Sequence, residues 1–323
     1  MPHALERLAA PACLTLLLVL TGCATLGAPD RQALEAFPEA VQVEAVPFYP
    51  QTELHCGPAA LATVLDHGGV AVDYSELVDR VYLPERGGTL QVELLGAARS
   101  SNRIPWVLNP DLSELLQELQ AGRPVLVLEN QGLRRVPYWH YAVVIGFDPQ
   151  QREVIQHSGT EETLHRPLRR WLREWSLAGR WAVVTLPPDA LPVTPERERW
   201  LQTVADFEAV AEPEAALAAW QTAADRWPDA AMAWLGQGNS YYRLGQLTLA
   251  LKAFEEALRQ NPEPAAAAFN RASVLLEVDQ PCAASTQLEA LIEHPALGER
   301  AQQVLVTARA ACANSPQARK NSP

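Results

Sequence analysis

From Trp200 onward this chain repeats itself every 34 residues. Trp200 and Trp234, Ala216 and Ala250, Trp220 and Phe254, Ala223 and Ala257, and Pro228 and Pro262 each stand one period apart. Such a period is the mark of one helical unit stacked repeatedly, each copy burying its apolar face on the next. Small residues at fixed positions let the helices approach, and the aromatics fill the gaps between them. A weaker third unit begins near Ala265, with Ala268, Ala272, Ala284, Leu288 and Leu291 in register. The C-terminal part of the chain is therefore expected to be an all-α solenoid.

Within 231–264, Trp234, Gly238, Tyr241, Gly245, Ala250, Phe254, Ala257 and Pro262 match the tetratricopeptide (TPR) pattern, with Gln237 in place of the usual Leu. Residues 197–313 are expected to form TPR-like repeats, and 314–323 a disordered tail. TPR grooves take up extended peptides or helices, so the resemblance implies a protein partner. Cys282 opens the second helix of the last repeat, and Cys312 ends the helix that follows. Antiparallel neighbours bring those ends together, so a disulfide is expected between them; the alternative is two separate buried thiols.

The other end of the chain carries an address. Arg7 is the only Lys or Arg before the apolar run Leu14–Leu20, which is too short to span a membrane. The run leads into Leu20-Thr21-Gly22-Cys23, which resembles the bacterial lipobox. The resemblance implies that residues 1–22 are a lipoprotein signal peptide and that Cys23 carries diacylglycerol; the alternative is an ordinary signal peptide that holds a Cys. Ala24 follows, with no Asp to favour inner-membrane retention, so in a Gram-negative cell an outer-membrane anchor facing the periplasm is expected. Residues 23–44 read as a linker with an acidic, helix-leaning stretch. The remaining length suits about two domains. A net charge of −12 with no basic stretch argues against a nucleic-acid partner. No clustered Cys/His spacing points to a metal, and no cofactor is expected.

Residues 45–187 read as the first domain. Ala59–Asp66, a short run from Tyr74, Leu90–Arg99 and Leu112–Gln120 have helical spacing. The later segments, Pro124–Leu128, His140–Phe147, Glu153–His157 and Trp181–Leu186, are short and strand-like, with a turn at 148–151. Helices first and a mostly antiparallel sheet afterwards make an α+β domain. A Pro-rich linker follows over 188–196.

The chemistry lies in that first domain. Cys56 is followed by Gly57-Pro58 and then an apolar helical pattern, which puts the thiol at a helix N-terminus. Pro58 fits the first turn, where its missing N–H is no loss. The positive end of the helix dipole favours thiolate there. His140 opens an apolar strand downstream. A thiol at a helix start and an imidazole on a strand are the parts of a Cys–His nucleophile.

Gln51, Cys56-Gly57-Pro58-Ala59 and the run His140–Asp148 together resemble the C39-like branch of the papain-like cysteine peptidases. With the lipobox and the repeats, the arrangement is similar to the PA2778-type bacterial family. The resemblance implies an α+β papain-like cysteine peptidase domain followed by an all-α TPR solenoid. It implies that Cys56 attacks as thiolate and that His140 protonates the leaving amine. It implies too that the Gln51 side chain donates to the oxyanion. The family usually sets Asp or Asn on the next strand to orient the imidazole. Here that strand reads Ile155-Gln156-His157-Ser158-Gly159, so His157 is the expected orienter, with Asp148, a backbone carbonyl or no orienter at all as alternatives. His55 is read as a rim residue.

The expected function is an envelope-anchored cysteine peptidase acting on a peptide or protein substrate, with the TPR groove recruiting substrate or partner. Two alternatives stand beside it. One is a non-catalytic scaffold, which the missing third carboxylate favours. The other is a cysteine acyltransferase, in which an amine resolves the thioester.

Overall fold

Runs of β-branched and aromatic residues bounded by turns build one antiparallel seven-stranded sheet in the computed structural model, which describes residues 27–50, 54–261 and 265–315. The strands are β1 (Val41–Gln42), β2 (Ile104–Val107), β3 (Val125–Asn130), β4 (Trp139–Asp148), β5 (Glu153–Ser158), β6 (Glu161–Pro167) and β7 (Ala182–Leu186). Their order is β2-β7-β3-β4-β5-β6, and β1 pairs with the far end of β4. Cys23 and Gln51 lie outside the described residues, as do the signal segment and residues 316–323.

Helices cover both faces of the sheet. On one face lie α2 (Cys56–His67), α3 (Tyr74–Val81) and α4 (Gln91–Ser100). On the other lie α1 (Ala28–Ala36), α5 (Leu112–Gln120) and α6 (Leu168–Leu177). Every residue of α2 from Gly57 to Leu65 is buried. A helix that is small and apolar all round belongs in an interior rather than on a surface. Tyr141, Val143 and Ile145 of β4 pack with α2, whereas Ala142, Val144 and Phe147 join the core under α5 and α6.

Residues 23–44, expected as a linker, are folded from residue 28 onward. Ala33, Phe37 and Val43 are buried in the main core. Arg180 holds Asp30 through two hydrogen bonds of 2.8 Å, which clamps α1 beside the end of α6. An aromatic anchor and a bidentate ion pair outweigh the polar composition that suggested a linker. The Pro-rich stretch 188–196 is likewise packed: the Val193 N–H donates to Glu118 at 2.8 Å.

The repeats are α7 (Arg197–Glu208), α8 (Pro213–Arg226), α9 (Ala231–Arg243), α10 (Leu247–Gln260), α11 (Ala265–Glu277) and α12 (Pro281–Glu289). Both helices of each pair start 34 residues after their counterparts in the pair before. A last helix, α13 (Gly298–Asn314), covers α12, and Cys282 and Cys312 are disulfide-bonded across that pair. The end of α13 takes in Asn314, the first residue of the expected tail. Among the described residues, no helix is long and apolar enough to cross a membrane.

Candidate active site

Cys56 is the first residue of α2, and His55 is its N-cap. The thiol opens into a cleft of about 480 Å³, whose walls include Leu54, Arg86, Thr89, Trp139 and Tyr141. Gly57 makes the close wall possible: a Cβ there would lie 2.6 Å from the Thr89 Cβ. The Tyr141 hydroxyl donates to the Thr89 carbonyl at 3.3 Å and ties β4 to the loop before α4. Burial pushes the Cys56 thiol above its ordinary 9.0, and the backbone N–H groups of Tyr141 and Gly57 oppose that shift. The thiol is therefore protonated at neutral pH.

His140 stands one residue before Tyr141 and faces the other way. Successive side chains of a strand point to opposite faces. Tyr141 faces α2, so His140 shares the α6 face with Ala142 and Val144. It sits opposite Glu129 in the β3–β4 ladder, and its Nε2 lies 2.8 Å from the Ser158 Oγ. Burial, reinforced by the Arg166 guanidinium and opposed by Glu174, lowers its pKa from 6.5 to about 4. No hydrogen bond joins His140 to Cys56 among the described residues. Thiol and imidazole are both neutral in this arrangement.

The other expected members are also placed apart. The His157 Nε2 lies 3.1 Å from the Val46 carbonyl, and its Nδ1 is bonded to the Glu162 carbonyl. Its ring meets Phe48 edge-on at 5.3 Å. The structure therefore corrects His157 as the orienter: the ring is taken up by backbone carbonyls, and Ser158, its neighbour, reaches His140. Asp148 closes the opposite end of β4, where its Oδ1 accepts the N–H groups of Gln150 and Gln151 at 2.8 and 2.9 Å. That is an Asx-type turn, and it removes Asp148 from the candidates. His55 meets the Tyr82 ring edge-on at 5.0 Å beside the helix start.

Three features of the site were not anticipated. Tyr141 and Trp139 flank the thiol where an imidazole was expected. Ser158 partners His140. Behind His140 lies a buried charge cluster in which Arg166 is bonded to Glu174 and stands 3.6 Å from Glu129. Burial pushes the Glu129 carboxyl up, with Gln131 and Arg166 opposing. Glu129 sits inside an apolar strand, and a charge in such a run was the available signal that a buried partner existed. No group of three His, Cys, Asp or Glu able to hold a metal occurs among the described residues.

Residues 43–181 match the model of the family described as Peptidase_C39 like. Residues 206–254 and 235–279 match that of the tetratricopeptide repeat. No curated protein matches the chain. Among solved structures, a putative C39-like peptidase from Bacillus anthracis is similar at 21% identity and TM-score 0.39, over 46% of this chain and 98% of that one. The peptidase domain of Streptococcus ComA is similar at 22% identity and TM-score 0.36, over 44% and 98%. The Yersinia enterocolitica translocator chaperone SycD is similar at 18% identity and TM-score 0.33, over 35% and 82%. The chain thus joins a C39-like peptidase domain to tetratricopeptide repeats.

Proposed function

We propose that the chain is a C39-like cysteine peptidase of the PA2778 type, anchored to the bacterial envelope through Cys23. It acts on a peptide or protein segment held in the cleft at Cys56, with the TPR groove recruiting substrate or partner. One observation carries this reading: the sulfur stands at the first residue of α2, in an open cleft, where the N–H groups of Tyr141 and Gly57 favour the thiolate. Donors of that kind also serve a developing oxyanion. His140 takes the thiol proton, the thiolate attacks the acyl carbon, the imidazolium gives that proton to the leaving amine, and water, losing a proton to the imidazole, hydrolyses the thioester to the acid and the free thiol. Gln51 is the proposed side-chain donor to the oxyanion.

This chemistry requires His140 to exchange Ser158 for the sulfur. His140 lies near the start of β4, opposite Glu129, and the hairpin pairing continues beyond it through Tyr138 and Gln131. The Ser158 contact, worth of order 1 kcal/mol, is given up together with the ladder pairing of His140 to Glu129. Catalytic contacts are often loose before substrate arrives.

A non-catalytic peptidase-like scaffold is the second reading, and the α6-facing position of His140 favours it. Alkylation of Cys56 by iodoacetamide across pH separates the two. In the resting protein, labelling rises only above pH 9.0, the ordinary value of the thiol. In the peptidase, substrate peptides from the envelope add a shoulder near neutral pH that His140→Ala abolishes, and Cys56→Ala stops cleavage. No shoulder, together with full complementation of a deletion by Cys56→Ser, assigns the scaffold.

A further inference from the structure

The geometry points to a second membrane contact: the surface made by α1, the β4–β5 turn and the start of α6 is a docking face for anionic phospholipid headgroups. This rests on the lipid anchor at Cys23 proposed above. A cavity of about 690 Å³ opens on this face, lined among others by Arg31, Leu34, Glu35, Arg152, Leu168 and Arg169. Three arginines against one glutamate gather here in a chain whose net charge is −12. All three are exposed, and neither Arg31 nor Arg152 has an ion-pair partner among the described residues. Leu34 and Leu168 give the cavity an apolar side. Cations over an apolar side suit a phosphodiester with the first carbons of its acyl chains.

The length of chain before α1 selects the membrane as occupant. Cys23 precedes Gly27 by four residues, which fully extended span at most about 15 Å. The start of α1 cannot swing away from the domain, because Asp30 is clamped by Arg180. A diacylated Cys23 therefore holds this face close to the bilayer, within reach of its surface charge. A single lipid attachment gains from a second basic signal, and each arginine near an anionic surface adds to it.

The face also sets an orientation. β4 runs from Trp139 in the Cys56 cleft to Asp148 beside this cavity. Its ten residues span about 30 Å. Docking at one end points the cleft away from the membrane, toward substrates in the periplasm.

Hydrogen–deuterium exchange on the full lipidated protein tests this. The protein is reconstituted in vesicles of phosphatidylcholine alone or of phosphatidylcholine with phosphatidylglycerol. Exchange in α1, the 149–152 turn and the start of α6 slows about tenfold with phosphatidylglycerol at low salt, and high salt reverses it. The double variant Arg31→Gln, Arg152→Gly loses the effect. Arg152 holds a φ of 56°, where glycine is at ease, so that change does not strain the fold. Equal exchange in both vesicles, with Cys23 diacylated by mass spectrometry, overturns the docking face alone. An unmodified Cys23 thiol overturns the anchor and this orientation with it. Protection that grows with protein concentration in detergent assigns the face to a second copy and also overturns the proposal.

Discussion

Tyr141 and His140 are adjacent in the chain, and the difference of one residue decides what meets the thiol. A neutral thiol beside a tyrosine and a neutral imidazole beside a serine are each stable, but they do not activate one another. The protonation state of His140 has a consequence for stability. Its folded pKa of about 4 lies below its ordinary 6.5, so the unfolded chain binds the proton first on acidification. The resulting stability is complete above pH 6.5 and drains away as pH falls toward 4, by up to ~3 kcal/mol. Chemical denaturation of His140→Gln, which keeps a polar partner for Ser158, should give a flatter pH profile than the parent over that window. Parallel profiles would mean that the imidazole is not held neutral by its surroundings.

At the scale of elements, most of the chain was legible in its own pattern. Leu112–Gln120 is the helix its spacing describes, and Cys56–His67 begins where Gly57-Pro58 and the apolar run placed it. α6 was missed although Leu168, Trp171, Leu172 and Trp175 stand at helical spacing and are all buried. β6 was unreadable for a physical reason: it is an edge strand with mostly exposed polar residues, so it carries no apolar alternation. The repeats were readable because their packing demands particular sizes. A Cβ at Gly236 would lie 2.2 Å from the Trp220 ring. Gly236→Ala should therefore destabilise the helical array by roughly 1–3 kcal/mol despite its better helix propensity. Urea unfolding measures this, and an unchanged or raised midpoint would show that the ring has room to move.

The whole molecule is more continuous than two domains joined by a linker. Trp200, Leu201, Val204 and Phe207 of the first repeat helix share one buried core with Trp106, Leu112 and Trp171 of the sheet domain. The Trp106 and Trp200 rings lie 5.8 Å apart, and Arg199 stacks over Trp106 at 4.1 Å. The sheet domain and the first repeat are therefore held at a defined angle. Trp200→Ala should cost about 3–5 kcal/mol. It should also split thermal unfolding into two calorimetric transitions, one for each part. A single transition at the parental temperature would show that the shared core does not couple them.

The repeat period, the helix start under Cys56 and the spacing of Leu112–Gln120 followed from the sequence alone, because each depends on residues close together in the chain. The facing of β4 did not. Alternation dictates that His140 and Tyr141 point opposite ways, but a strand buried on both sides carries no mark of which side is which. Packing made that choice: Tyr141, Val143 and Ile145 complete the layer beneath α2, and His140 is left with Ser158 beside the buried Arg166 cluster. The cleft is therefore the product of volumes filled across the sheet, which only the folded arrangement contains.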